Sequence, residues 1–229
     1  MYIFISEEYL LMGYEEAIKN DKRTWSKIYY GFLIENHFIL HTFVSESFID
    51  IRTLKINLFC FRLDIIFLLN ALFYTDNYIS KTYYNNGKLD FLTSLPKALF
   101  SFLVCMLVNI IIKLFFSNKK DVYKTIKEKE ENTEYSEVVK IILNKIKIKL
   151  IIFFIFQFIV NFFCLYYVTT FCSVYQNSNY YWFYGCLETL TIDTFFPFIY
   201  CLFLSSFRYL GIFYSSKCLF DLSNLLNIL

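Results

Sequence analysis

Leu150–Cys172 reads LIIFFIFQFIVNFFCLYYVTTFC, with no charged residue from end to end. A hydrocarbon layer of about 30 Å needs roughly 20 apolar residues in a helix, so this stretch predicts a membrane span. Three further stretches match that length: Ile56–Tyr74, Ala98–Phe116 and Leu187–Phe207. The stretch 98–116 starts behind Ser94 and Pro96, a cap and a first-turn proline suited to opening a helix, and has Lys113 near its end to snorkel toward the interface. The stretch 187–207 contains Pro197, which predicts a kink whose freed carbonyl finds another partner.

Composition agrees with these spans. Of 229 residues, 57% are hydrophobic and 18% charged, against about 45–50% and roughly 25% in an ordinary soluble domain. That excess is too large for one water-soluble core, and it excludes intrinsic disorder. The 7 cysteines are spread along the chain and sit mostly in apolar runs, which does not describe a disulfide-stapled miniprotein. A net charge of +2 offers no concentrated basic face, so nucleic acid is not an expected partner. Abundant Phe (29) and Tyr (20) beside scarce Gly (5) and Pro (2) form the residue set that AT-rich codons favour.

The stretch 56–74 is the marginal span. Its Ile, Leu and Phe residues contribute about −0.3 to −0.6 kcal/mol each to insertion, whereas Arg62 and Asp64 oppose it by about 2.5–3.5 kcal/mol each near the centre. The sum is near zero, so neighbouring helices must supply partners. An Asp64–Lys113 pair is the expected one. Glu188 and Asp193, with no Lys or Arg near them in sequence, are expected to attract cations or to remain hydrated.

Loop lysines set the orientation. Residues 117–149 carry nine of them, from Lys119 to Lys149, while 173–185 carry none, so the basic connection is predicted to be cytosolic and both termini with it. Lys81, Lys88 and Lys97 in the first outer loop run mildly against this. Glu7 and Glu8 interrupt the N-terminal apolar residues, so no cleavable signal peptide is expected.

Outside the spans, residues 6–20 read as an amphipathic helix, and Asp21 as the cap of a second helix through Val44. Glu35, His37 and His41 near the middle of that second helix favour an interfacial or protein-packed position over a fifth span. The connection 117–149, with Lys124/Glu128 and Lys127/Glu131 pairs and a Val138, Ile142, Ile146 stripe, predicts a charged helical hairpin turning near Glu131–Thr133. Residues 212–229 predict a C-terminal amphipathic helix. The expected architecture is all-α: cytosolic or interfacial helices over 1–55, a four-span bundle over 56–211, and the terminal helix.

Polar residues line one side of each span: Arg62 and Asn70; Ser101, Cys105, Asn109 and Lys113; Gln157, Asn161 and Cys164; Thr189, Asp193, Pro197, Cys201 and Ser205. Lipid-embedded helices use such lines to pack and hydrogen-bond to one another. The alternative is a hydrated ion or proton path, for which Asp64, Asn109, Asn161 and Asp193 are the candidate lining. His37 and His41 form an H-x-x-x-H that on a helix places two imidazoles on one face, the start of a metal site with Glu35 or Glu46. The chain's 2 histidines are too few for a di-iron enzyme. There is no G-x-S-x-G, no Walker loop and no histidine base beside a membrane cysteine, so no catalytic residue, metal site or cofactor is assigned. Cys172 and Cys186 bracket the outer loop SVYQNSNYYWFYG and are the one cysteine pair placed for a disulfide if that side is oxidising.

MGYEEAIKNDKR, HFILHTF, NALFYTDNYIS, YNNGKLDFLTSLP and FCSVYQNS together resemble an uncharacterised family of multi-pass membrane proteins from AT-rich protists. The resemblance covers most of the chain. It implies a membrane module that often forms the C-terminal part of a longer polypeptide, and it implies no activity, cofactor or site residue. The favoured expectation is a non-enzymatic structural or assembly component whose partner is the bilayer, together with other membrane proteins or further copies of itself. A small channel or transporter is the alternative, and a membrane enzyme using His37 and His41 the third.

Overall fold

A computed structural model describes residues 9–45, 52–84, 91–116 and 135–227, which form helices and short connections with no strand among them. In chain order the helices are α1 (Tyr14–Asn20), α2 (Trp25–Asn36), α3 (Phe38–Phe43), α4 (Arg52–Leu72), α5 (Asp76–Tyr84), α6 (Phe91–Phe116), α7 (Tyr135–Val174), α8 (Asn179–Phe213) and α9 (Lys217–Leu226). Three segments are long and apolar enough to cross a membrane: Ser94–Ile112, Lys147–Val174 and Gln176–Phe213. α4 has comparable length, but it carries Lys55, Arg62 and Asp64.

α4 is the central helix, packed against α6, α7 and α8. Side-chain pairs fix the directions. Arg62 meets Asp193, Asn70 meets Thr189, and Tyr74 reaches the Ser178 carbonyl, so α4 and α8 run antiparallel. Gln157 donates to the Asn57 carbonyl, and Phe171 packs on Tyr74, so α4 and α7 run parallel. Phe73 packs edge-on against Phe100 while Phe61 and Cys105 share a core cluster, so α6 opposes α4. Directions therefore alternate through α4, α6, α7 and α8, as they do in a bundle whose helices cross back and forth.

Several expected boundaries move. α6 begins at Phe91 and carries Pro96 inside rather than in its first turn, while Ser94 turns its hydroxyl to another helix instead of capping. α7 is one continuous helix of 40 residues. The tip of the expected hairpin, Glu131–Thr133, lies outside the described residues. α8 runs unbroken through Pro197.

The second N-terminal helix is not continuous. His37 takes an extended conformation (φ −82°, ψ 113°), and its ring Nδ1 accepts a long 3.5 Å hydrogen bond from the Leu40 amide, capping α3. α2 runs down α8, from Trp25 beside Ser206 to His37 beside Phe198. α3 then runs back along α4: Phe38 stacks on Phe59, and Lys55 Nζ donates to the Ser45 carbonyl at 3.0 Å. The two helices thus form a wedge with its apex at His37. Asp21 does not cap α2, which starts after Thr24; it ends α1 as its C-cap, and its carboxylate holds Arg23 through two 2.7 Å hydrogen bonds.

α9 folds back on α8 through Ser215, which has a left-handed φ of 51°. The helices meet at Gly211, where an added Cβ would stand 2.7 Å from the Phe220 backbone nitrogen. Ser223 Oγ donates to the Leu204 carbonyl at 3.1 Å, and the Tyr200 hydroxyl donates to the Leu226 carbonyl. A terminal helix is therefore present, laid along α8 through Phe220 and Ser223, with Leu222 and Leu225 exposed.

Candidate functional site

Polar side chains inside the bundle fall into three layers along α8. The middle layer is built on the α4 and α8 residues with the highest insertion cost. Arg62 Nε donates to Asp193 Oδ2 at 2.7 Å, and Nη2 donates to Oδ1. This fork leaves Asp193 fully buried. A charge pair in a low-dielectric interior persists only with good geometry and further partners. One such partner is the Phe38 ring, 5.0 Å from the guanidinium. Burial pushes the His37 imidazole below its usual range, with Asp193 opposing and Arg62 assisting. A neutral imidazole is the form that accepts from Leu40. Beside the pair is a cavity of about 50 Å³, lined by Asn36, Arg62, Asn109, Pro197 and Tyr200 among others. That volume has room for a few water molecules at about 10–15 Å³ each.

The second layer lies nearer the α7–α8 turn. Asn70 Nδ2 donates to Thr189 Oγ1 at 3.1 Å, and Ser94 Oγ donates to Glu188 Oε1 at 2.6 Å. Lys97 Nζ sits over the Tyr74 and Tyr78 rings at 4.9 and 4.5 Å. Gly185 makes room for it, since a Cβ there would stand 3.0 Å from Lys97 Nζ. Burial first, and Glu188 second, push the Tyr78 hydroxyl up to about 12.

The third layer ties the chain ends to α8. Arg208, fully buried, donates to the Tyr9 carbonyl and, at 3.1 Å, to Asn224 Oδ1. Its Nε is 3.9 Å from Asp21, and its guanidinium stands 4.7 Å from the Phe220 ring. Residues near both ends of the chain thus meet on one arginine.

The expectation for Asp193 and Glu188 is corrected: neither is left to attract cations or remain hydrated, because Arg62 neutralises the first and Ser94 holds the second in a buried position. Asp64 meets the Asn161 amide at 3.2 Å, with that amide turned to donate. The Lys113 side chain, its expected partner, lies outside the described residues. Asp64 lines a groove of about 310 Å³ with Phe67, Cys164, Leu165, Val168, Trp182 and Phe183. Of the four proposed path residues, Asn109 lines the small cavity and Asp64 the groove, while Asp193 and Asn161 line neither. The two spaces share no lining residue.

His37 sits at a helix break and the half-buried His41 inside α3, so the two imidazoles do not share one uninterrupted helical face. Among the described residues no three His, Cys, Asp or Glu side chains group as metal ligands. Cys172 and Cys186 lie in one aromatic cluster with Tyr74, Phe171 and Trp182, and both are thiols. The sequence reading missed two pairings, Arg62–Asp193 and Arg208–Asp21, whose partners lie 131 and 187 positions apart. The available signal for the first was an unpaired cation and an unpaired anion in two apolar stretches of opposite direction. Comparison with family models, curated proteins and solved structures finds no match.

Proposed function

We propose that the chain is a four-span integral membrane protein with both termini cytosolic, acting as a non-enzymatic structural or assembly component of its membrane. Support for the fourth span comes from α4. It lies between the three apolar helices and alternates in direction with them, the arrangement expected of a fourth span in the same slab. Arg62 is then desolvated beside a counter-charge on α8 rather than beside lipid, which lowers the insertion cost that made this segment marginal. The basic connection 117–149 supports the orientation.

A single observation carries the structural role: the inward polar residues bond from helix to helix. Asn57 to Gln157, Arg62 to Asp193, Asn70 to Thr189 and Ser94 to Glu188 cross between helices in turn. Polar groups consumed in this way hold a bundle together. The test is solute flux. Sealed vesicles carrying the purified chain should pass ions and small solutes no faster than empty vesicles.

A second reading, a small transporter or channel, is favoured by one feature. The α2–α3 wedge and Pro197 converge on a buried charge pair beside a cavity, an arrangement that transporters use at substrate sites. Flux that disappears in Asp193→Asn would install this reading in place of the first.

A further inference from the structure

α2 and α3 follow the long helices of the bundle. From Trp25 beside Ser206 to His37 beside Phe198, α2 advances eight positions along α8, about 12 Å at 1.5 Å per residue. The chain reverses at His37. α3 then returns along α4, from Phe38 on Phe59 to Ser45, whose carbonyl accepts from Lys55 Nζ. The reversal is level with Arg62, whose guanidinium is 5.0 Å from the Phe38 ring. A helix lying flat at an interface would cross α8 instead of following it, and a span would not turn back.

Exposure changes character along this path. Ahead of it Lys19, Lys22, Ser26 and Lys27 are exposed, with Trp25 among them. From Tyr30 to Val44 the exposed residues are Tyr30, Ile39, Phe43 and Val44, all aromatic or aliphatic. The polar members of that stretch turn inward: Glu35, Asn36 and His41 are half-buried, and His37 and Thr42 are buried. Beyond it Arg52 and Thr53, at the start of α4, are exposed again. A surface facing water rarely turns only its apolar residues outward over such a stretch. The same turns of α8 expose Ile199, Leu202 and Phe203.

We propose that residues 25–45 are a re-entrant hairpin. They enter the membrane from the cytosolic side beside Trp25, turn at His37 within the hydrocarbon layer, and leave on the same side beside Lys55. Tyr30, Ile39, Phe43 and Val44 then lie against the acyl chains of the cytosolic leaflet. The hairpin rests on the four-span reading, which makes α4 and α8 spans. Trp25 falls in the headgroup belt, and Lys55 extends its ammonium toward the same interface. Non-helical backbone is tolerated at membrane depth where protein buries it or where it lines a water-filled cavity. His37 is buried at the break, and Asn36 next to it lines the cavity beside Arg62. A hydrocarbon core of about 30 Å keeps an apex about 12 Å deep in the cytosolic half.

Depth is read by indole fluorescence in bilayers whose lipids carry bromine either near the headgroup or at mid-chain. The chain has 2 tryptophans. Full-length Trp182→Phe retains Trp25 and should be quenched more by the shallow bromines. Added to Trp25→Phe/Trp182→Phe, Ile39→Trp puts the sole indole beside the apex, and it should lose about twice as much fluorescence to mid-chain bromines as to shallow ones. Phe43→Trp is a second probe, an aromatic exchange at an exposed ring that also packs on Phe59, and should give the same order. Cys60→Trp, at an exposed position of α4 outside the hairpin, tests the four-span reading separately. Mid-chain quenching at position 60 with shallow quenching at 39 and 43 overturns the hairpin and leaves four spans. Shallow quenching at all three overturns the four-span reading and the hairpin with it. Sidedness is tested with no change inside residues 25–45. In sealed vesicles, protease should cut an amino-terminal tag and the connection 117–149 from the same side, because only α4 and α6 cross between them. Cutting from opposite sides, with mid-chain quenching at 39 and 60, makes residues 25–45 a fifth span and overturns the hairpin.

Discussion

α7 and α8 are joined by only four residues, Tyr175–Ser178, yet they use their length in opposite ways. The apolar window of α7 is 17% buried and that of α8 28%. The inward seam of α7 is narrow, formed by Phe153, Gln157, Cys164 and Phe171. α8 buries a longer stripe that includes Glu188, Thr189, Asp193, Ser205 and Arg208. The three polar layers that hold Arg62, Lys97 and Arg208 are anchored on α8, while most of α7 presents Ile and Phe outward and offers Gln157 and Asn161 to α4. The most apolar helix turns its widest apolar face outward, and the more polar helix determines what packs around it, because polar contacts discriminate between neighbours where apolar ones do not.

The sharpest way to break this contrast is to leave a charge of the middle layer unpaired. Asp193→Ala strands Arg62 in the interior, and removing one partner of a buried pair costs about 3–5 kcal/mol. Thermal unfolding in detergent should show a large drop, with most of it recovered in the double variant Arg62→Leu/Asp193→Leu, since an apolar pair of similar volume is often neutral. An Asp193→Ala protein as stable as its parent would remove α8 from its organising role.

The same contrast can be tested within α7 itself. Phe153→Ala, at a fully buried position, should cost about 3–5 kcal/mol as transfer and cavity terms combine. Phe158→Ala, on the exposed face, should stay within about 0.5 kcal/mol of the parent in detergent. Similar losses at both sites would mean that the outward face is packed against protein.

Gly211→Ala places a methyl group against the Phe220 backbone and should cost about 1–3 kcal/mol as overpacking. Its readout is local. Amide exchange in α9 should accelerate while α7 is unchanged.

The smallest effect concerns Tyr78 beside Lys97. Its hydroxyl is raised from 10.0 to about 12, so the folded state favours the protonated phenol. That contribution is complete below about pH 10 and is lost as the pH climbs through about 12. An ultraviolet tyrosinate titration should lose absorbance change near pH 12 in Tyr78→Phe.

The polar stripes were legible before any coordinates. Ser101 and Cys105, Gln157 and Cys164, and Thr189, Asp193, Cys201 and Ser205 all turn inward, because helical periodicity fixes which residues share a face. The break at His37 was not legible. Neither glycine nor proline occurs there, and the extended backbone exists because the imidazole is buried against Phe198 and caps α3. Nor was the choice of partner for Arg62, since Asp64 and Asp193 present the same chemistry, and only the packing of α4 on α8 separates them.

Sequence by itself determined three stretches apolar enough to cross a bilayer and which side of each helix is polar, because both depend on neighbours within a few turns. Tertiary structure alone decided that Arg62 meets Asp193, that Arg208 gathers Tyr9, Asp21 and Asn224, and that Asp64 is left facing a groove. Electrostatic pairing acts through space over a few ångströms, so it depends on how helices far apart in the chain are laid side by side.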